Sequence, residues 1–425
     1  MNLTVTFWLL PLITIPTLLL GAHAWPRLNR IMRVGLMALV AALITFYGLQ
    51  LAQAIRTNIT QLPEWDFSFF WLNGQVAARG LNFYDPVQYQ QLARQFLPHP
   101  PTIEFQQAVL DVGFWYPPPS MFLFLPLGWF SLQTAASLWF AFHVLVLLAD
   151  VGLVWQLFLH QQKYVGAMLA LVLMVMMTGT QLTFSYAQTN ALLLLFVLLF
   201  YKERGRPRAG VWLALAILVK PIALVLGLVL VLHRQWRILG ITAIVLALIT
   251  LAAWLVFGTD VFRSFITAGP TARQPLWVYT EPVNQSLLSY ILRLTQSGPL
   301  TGSPVTNPIF VGLTALMLAF SAWLIWRLGR GQSGWAIAVA LSLGMLIYPA
   351  TLNHYSLLLI LPLGVVWQAR TGPGRWRVGF TACFIGGVFF WMGYRDGNLA
   401  FMANLFTWIR VCEMAWGRSG NNIYR

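Results

Sequence analysis

Residues 208–234 read RAGVWLALAILVKPIALVLGLVLVLHR. The stretch is apolar from Ala209 to Leu232 apart from Lys220, and Arg208 and Arg234 stand at its two ends. A single helix of about 20 apolar residues crosses a bilayer. One crossing here would put the two flanking arginines on opposite sides, against the bias of short cationic loops towards the cytoplasm. Pro221 offers a different path, because proline lacks an N–H and its ring clashes with the preceding turn. The stretch is expected to go out and return as two half-length helices meeting at Lys220-Pro221. Broken helices of this kind commonly build sites in membrane proteins.

The rest of the chain repeats the pattern. Apolar segments occupy 3–22, 32–53, 134–157, 165–182, 184–200, 209–220, 221–232, 237–257, 306–327, 333–349, 354–369, 376–394 and 398–412. The 425 residues are 59% hydrophobic and 9% charged, against about 25% charge in a soluble domain. The expected fold is all-α and integral to the membrane. It is one polytopic bundle over 1–425, with about 12–13 transmembrane helices by the length rule. The run ending at Gly21-Ala22-His23-Ala24 faintly resembles a signal-peptidase site but has no positive n-region, so it reads as an uncleaved helix.

The net charge of +15 would suggest nucleic acid in a soluble protein. Here the cations sit in short connectors: Arg27/Arg30/Arg33, Lys202/Arg204/Arg206/Arg208, Arg234/Arg237, Arg327/Arg330 and Arg370/Arg375/Arg377. That arrangement points to membrane topology and anionic lipid, with no nucleic acid partner. With these connectors in the cytoplasm, loops 54–133 and 258–305 fall outside. The segment 117–131 (PPPSMFLFLPLGWFS) is short and proline-interrupted, and it reads as re-entrant or interfacial. Cys383 and Cys412 have neither metal nor disulfide spacing and read as core residues. No metal site or cofactor is expected.

The first outer loop is acidic and aromatic. Five of the 11 acidic residues lie between Glu64 and Asp111, accompanied only by Arg56, Arg79 and Arg94. A carboxylate costs roughly 2.5–3.5 kcal/mol at bilayer depth, so their clustering after a membrane helix suggests a surface site. Asp66, flanked by Trp65 and Phe67, fits a general base acting on a sugar hydroxyl. It fits equally well as the cap of the next helix, and Glu64 is the competitor for the base role. Asp85 before Pro86 reads as a cap. Trp115-Tyr116-Pro117 opens the 117–131 segment. Its structural reading is the stronger, with Tyr116 also able to line a lipid-phosphate cavity.

Gln188 and Asn190 sit near the outer end of an apolar helix, where amides bond across helices or hold a polar ligand. Lys220 is the lysine inside an apolar segment, and its natural anion is a phosphate. The alternative is a buried pair with Asp66 or Glu281. In the second outer loop, Asn284 and Gln285 suit sugar hydroxyls and Arg293 suits phosphate. Helix capping by Asn284 or Ser286 is the alternative there. His354, between aromatics in a late loop, suits donation to a phosphate or proton relay.

Taken in order, these stretches resemble glycosyltransferase family 87, a group of GT-C enzymes that includes polyprenol-phosphate-mannose-dependent mannosyltransferases. The resemblance is carried by Asp66-Phe67, Tyr84-Asp85-Pro86, Tyr116-Pro117-Pro118, Gln188-Thr189-Asn190, Lys220-Pro221, Asn284-Gln285-Ser286-Leu287 and Tyr348-Pro349 through His354-Tyr355, over roughly residues 60–370. Ala187 stands where the family pattern has glycine, Tyr348 where serine is common, and a single His354 where two histidines are frequent. The segment 3–22 looks like an extra first helix.

The resemblance implies a GT-C fold and an inverting, metal-optional transfer. Asp66 would activate the hydroxyl of a lipid or glycan acceptor. The sugar, a hexose such as mannose, would come from a polyprenyl-phosphate donor, with Lys220, His354 and Arg293 on the leaving phosphate. Membrane lipids are the other partner. The site is expected at headgroup depth on the periplasmic or extracellular face of a plasma membrane. A transporter or flippase of lipid-linked sugars is the competing function, and a scaffold subunit of an envelope-assembly complex is the third.

Overall fold

The computed structural model describes residues 14, 17, 18, 21, 24–62, 67–97, 113–268, 276–296, 303–369 and 397–419. The chain is an all-α polytopic membrane protein. Among the described residues the only β-type pairing is an isolated bridge between Asn284 and Leu352. The helices used below are α1 (Arg30–Gln61), α2 (Phe67–Ala78), α3 (Pro86–Phe96), α4 (Leu132–Val154), α5 (Lys163–Met176), α6 (Thr178–Ser185), α7 (Asn190–Lys202), α8 (Ala209–Val219) and α9 (Val225–Leu232), then α10 (Trp236–Phe257), α11 (Thr259–Ala268), α12 (Leu287–Thr295), α13 (Pro308–Leu328), α14 (Ser333–Ile347), α15 (Ile360–Gln368) and α16 (Gly397–Ser419). Glu64, Asp66, Cys383 and the segment 376–394 lie outside the described residues, as does most of 3–22.

Helices form where the apolar runs stand, but they are not uniform spans. Among the described residues, four are long and apolar enough to cross a membrane: α1, α4 with its continuation to Leu159, α10 and α13. The pair α5 and α6, bent by 55°, makes a fifth if taken as one span. Other apolar segments form shorter helices, α7, α8 and Pro221–Leu232 among them. Eleven residues of α8 rise about 16 Å at 1.5 Å each, roughly half a 30 Å hydrocarbon core. The break at Lys220-Pro221 is thus recessed. α1 behaves in the opposite way. Its 32 residues rise about 48 Å, so the helix continues past the hydrophobic boundary near residue 53. Asn58, on the overhang, is buried and donates to the carbonyls of Phe184 and Ser185 at 3.4 and 3.1 Å.

Local signals set the helix ends. Asn29, Ser131, Ser286 and Asn307 each accept a backbone N–H as N-caps. Asp85 accepts from Val87 N at 2.9 Å with Pro86 at the first helical position, so it caps α3 as its sequence suggested.

Burial is graded across the bundle. α14 is buried on nearly every face, whereas α10 leaves Leu248, Leu251, Trp254, Leu255 and Val256 exposed. In water such a face would be a liability. Against lipid tails it is the ordinary outer surface, and tight packing instead holds the helices together. The closest packing joins α2 to the 117–131 segment. The 117–131 segment forms two 3-10 turns, Pro118–Leu123 and Leu125–Trp129. A Cβ on Gly128 would come within 2.0 Å of the Gly74 carbonyl oxygen, so only glycines permit this crossing of α2.

Two of the cationic connectors meet in space. Arg330 Nε donates to His233 O at 2.6 Å and its Nη2 to Arg234 O at 2.9 Å, joining two connectors that are distant in sequence.

Candidate functional site

The helix break brings Lys220 to a cluster built from three separate parts of the chain. α8 ends at Val219 and Lys220 turns extended, at φ −154° and ψ 132°, before a 3-10 turn begins at Pro221. Its Nζ donates to Asn190 Oδ1 at 2.9 Å and to Gln188 Oε1 at 3.3 Å. It also lies 4.2 Å from the centroid of the Tyr355 ring, a cation–π distance. Tyr355 stacks on His354, with ring centroids 5.2 Å apart, and hydrogen-bonds Tyr348. Lys220 is 1% exposed and His354 3%.

Protein encloses both groups, and the Asn353–Leu359 turn sets the Tyr355 ring against Lys220 where α8 ends.

Two buried polar atoms in this cluster have no hydrogen-bond partner, His354 Nδ1 and Asn190 Nδ2. Leaving such a group unmade costs about 1–3 kcal/mol, which is worth maintaining where a ligand completes the bond. His354 lies in the connection between α14 and α15. A neutral imidazole carries one donor nitrogen.

The surrounding structure fixes these groups closely. The loop that carries Gln188 turns through Ala187, which adopts φ +48°. Trp139 Nε1 donates to the Ala187 carbonyl at 2.9 Å, and the Trp139 ring meets Phe67 at 6.3 Å and Phe70 at 5.9 Å. The first turn of α2, which directly follows Asp66 in sequence, is therefore tied to the Gln188 loop through one tryptophan. Sequence reading passed over Trp139, which looks like any other core aromatic of α4. A second link runs from Phe70 stacked on Phe124 at 4.6 Å to Tyr116 beyond it at 6.2 Å. Tyr116 sits close enough to Tyr355 to influence its hydroxyl, and its carbonyl accepts from Tyr84 Oη at 2.6 Å. Ser120 Oγ donates to Leu218 O at 2.7 Å, pinning the 3-10 segment to the end of α8.

The 278–296 segment is built differently. Asn284 Nδ2 donates to Val278 O at 2.8 Å and to Pro349 O at 2.9 Å, while its Oδ1 accepts from Ser286 N at 2.9 Å. Ser286 Oγ caps α12 and donates to Pro349 O at 3.0 Å. Gln285 N donates to Thr351 O at 2.7 Å, and Gln285 Oε1 accepts from Asn404 at 3.2 Å. Arg293 Nη1 donates to Glu281 O and Asn284 O, both at 3.0 Å, and to Ser289 Oγ. These side chains hold the 349–352 segment that leads into His354. The structure thus gathers Gln188, Asn190, Lys220 and His354, with Tyr116 nearby. It sets Asn284, Gln285 and Arg293 one layer behind them. Among the described residues no group of His, Cys, Asp or Glu side chains suits a metal ion.

Among known proteins, the family described as glycosyltransferase family 87 matches residues 114–352, more than half of the chain, a range that holds Gln188, Asn190 and Lys220 and ends just before His354. The chain is similar to an alpha-(1->3)-arabinofuranosyltransferase of Mycolicibacterium smegmatis (strain ATCC 700084 / mc(2)155), 26% identical over 301 residues. That alignment covers 64% of this chain and 66% of the relative, just under two thirds of the relative's length. No solved structure matches.

Proposed function

This chain belongs to glycosyltransferase family 87, and from that premise we propose that it transfers a sugar from a polyprenyl-phosphate donor to a lipid or glycan acceptor. The observation that carries the reading is the Lys220 cluster, a buried ammonium beside two buried polar groups, His354 Nδ1 and Asn190 Nδ2, that await a partner. A phosphate oxygen satisfies all three. Lysine serves phosphate as a point charge, and donors arranged before the reaction stabilise charge as it develops.

In this reading the acceptor oxygen attacks the anomeric carbon and gives its proton to Asp66 as general base. The bond from the anomeric carbon to the phosphate oxygen breaks, and the electron pair leaves with the polyprenyl phosphate. Lys220 and the donor nitrogen of His354 receive that charge. Gln188 and Asn190 orient the ammonium, and Tyr355 forms a wall against both cationic and neutral donors. Asn284, Gln285 and Arg293 hold the segment bearing His354 rather than meeting substrate. The distance of the Lys220 break from the arginine-bearing connectors supports a site on the outer face of a plasma membrane under the positive-inside rule.

Two sugars compete. The pattern resembling polyprenol-phosphate-mannose enzymes favours a hexose such as mannose, and the similarity to an alpha-(1->3)-arabinofuranosyltransferase favours arabinofuranose. The test is transfer in lipid nanodiscs from radiolabelled polyprenyl-phosphate mannose and polyprenyl-phosphate arabinofuranose, with wild type and Asp66→Asn. Label transfer by wild type and loss of at least a hundredfold in the variant is the expected outcome, in line with the roughly 10²–10⁴ a general base contributes. Equal transfer by both proteins removes Asp66 from the chemistry. Movement of the intact donor across vesicles without cleavage would replace the reading with transport.

A further inference from the structure

At the arginine-rich end, remote from Lys220, a cavity of about 260 Å³ opens among the ends of α7, α14, α15 and α16. Its wall includes Arg204 and Arg418, the aromatic rings of Tyr201 and Trp335, and the polar residues Gln332 and Ser333. None of the described residues lining it is acidic. The fourteen residues between Asn190 and Arg204, mostly helical, place the cavity about 20 Å along α7 from the Lys220 cluster.

The division of charge at this end is selective. Arg206 and Arg208 are consumed by Glu203, with Arg208 Nε at 2.6 Å and Nη2 at 2.8 Å, and Arg206 at 3.1 Å. Those bonds, Arg208 foremost, hold the Glu203 carboxyl below its usual range. Lys202 donates to Gln156 at 2.8 Å, and Arg330 is spent on the carbonyls of His233 and Arg234. Among the described residues, Arg204 and Arg418 are the two cations that border the cavity, and both are oriented by neutral partners. Arg204 Nη1 donates to Tyr201 O at 2.8 Å and its guanidinium lies 4.2 Å from the Tyr201 ring centroid. Arg418 Nη2 donates to Ala369 O at 3.3 Å. Each guanidinium has five N–H donors, so an oriented fork remains for a ligand. α14 also begins in this wall. Its N-cap residue Gln332 makes no side-chain cap bond, and the helix start adds partial positive charge.

Two oriented guanidiniums suit a phosphate, which they bind through paired N–H bonds. The volume is below the roughly 300–1,000 Å³ of drug-sized pockets, so it fits a phosphate with a glycerol-sized substituent better than a nucleotide. Tyr201 and Trp335 supply aromatic rings of the type that sits at headgroup level, and basic pockets between membrane helices hold anionic headgroups. We propose that this cavity is a phosphate-binding site that takes the headgroup of an anionic phospholipid from the arginine-rich leaflet. The site does not depend on the donor reading above.

The test uses three full-length proteins: wild type, the double variant Arg204→Gln/Arg418→Gln, and the control Arg237→Gln, which lowers charge at the same end away from the cavity. Each is reconstituted in nanodiscs of phosphatidylcholine with phosphatidylglycerol, and retained phosphatidylglycerol is counted by native mass spectrometry. In parallel, inorganic phosphate is titrated into each protein in detergent and the melting temperature followed. At least tenfold less retained phosphatidylglycerol in the double variant, with the control matching wild type, supports the headgroup site. A phosphate-induced rise in melting temperature confined to wild type and control, without lipid retention, keeps the site and assigns it to free phosphate. Equal lipid retention and equal phosphate response in all three proteins overturns the proposal. If the double variant fails to fold, Arg418→Gln alone replaces it, since that exposed residue lies in the last turn of α16.

Discussion

The Lys220 cluster and the Asn284–Arg293 cluster are made of the same materials, one cation with neighbouring amides, and they come to opposite ends. In the second, Arg293 Nη1 and Asn284 bond to neutral oxygens and an N–H of the protein, mostly backbone. In the first, the cation is held by side-chain amide oxygens. Bonds to backbone spend a polar side chain on architecture. Bonds among side chains can be exchanged for a ligand's oxygens. The difference separates a site from its support, and residue type alone does not reveal it.

The widest gap between the two should appear on removing each cation. Lys220→Met should leave the protein folded, because it replaces a buried charge by an apolar chain of similar length. Its transfer rate should fall by about 10²–10³, as for loss of one donor to a developing anion. Arg293→Met should behave in reverse. It strands the carbonyls of Glu281 and Asn284 and destabilises by about 2–4 kcal/mol, counting roughly 1–3 per buried group left unpaired. Activity per folded molecule should be largely kept. Melting temperatures and initial rates on the same preparations check both. If Lys220→Met melts early and Arg293→Met stays folded but inactive, the assignments exchange places.

A smaller effect tests the contact on which the first cluster rests. A Cβ on Gly179 would lie 2.4 Å from Leu357 N and 2.8 Å from Ser356 Oγ, so α6 can approach the Asn353–Leu359 turn only through glycine. Gly179→Ala should cost about 1–3 kcal/mol by overpacking. It should also raise the donor KM by displacing His354. A variant that melts early with an unchanged KM would show that the turn tolerates the shift.

The smallest effect has the opposite sign. Ala187 holds φ +48°, a left-handed conformation that costs a non-glycine residue about 1–2 kcal/mol. Ala187→Gly should stabilise the fold by about 0.5–1 kcal/mol once glycine's greater freedom in the unfolded chain is subtracted. The measurement is a rise in melting temperature with the transfer rate unchanged. A fall would mean that the alanine methyl contributes packing in the Gln188 loop.

Much of this architecture was legible because membrane helices announce themselves by length and apolarity. The α8–α9 break was readable from Pro221 and from the arginines at both ends. The overhang of α1 was not, because Gln53, Arg56, Thr57 and Asn58 end the hydropathic run while remaining compatible with helix. Hydropathy reports the lipid boundary, and the helix ends where its hydrogen bonds do. In the site, Lys220 and His354 stood out as polar groups among apolar neighbours. Their burial did not, since it depends on how short α8 is and on a turn that packs from more than 130 residues away in the chain. Trp139 and Gly179 carried no signal, because one resembles a core aromatic and the other any helix glycine. Asn284, Gln285 and Arg293 looked like ligand contacts for the reason already given, that amides and guanidiniums serve backbone and sugar alike. The left-handed turn at Ala187 explains physically why the resembled family pattern carries glycine there.

The most direct test of the central contrast is equilibrium binding of a radiolabelled polyprenyl-phosphate sugar to wild type, Lys220→Met and Arg293→Met in nanodiscs, scaled to the folded fraction of each. The expected result is donor affinity weakened at least tenfold in Lys220→Met and within about twofold of wild type in Arg293→Met, taking ~1.4 kcal/mol per factor of ten. Wild-type affinity in Lys220→Met would contradict the account.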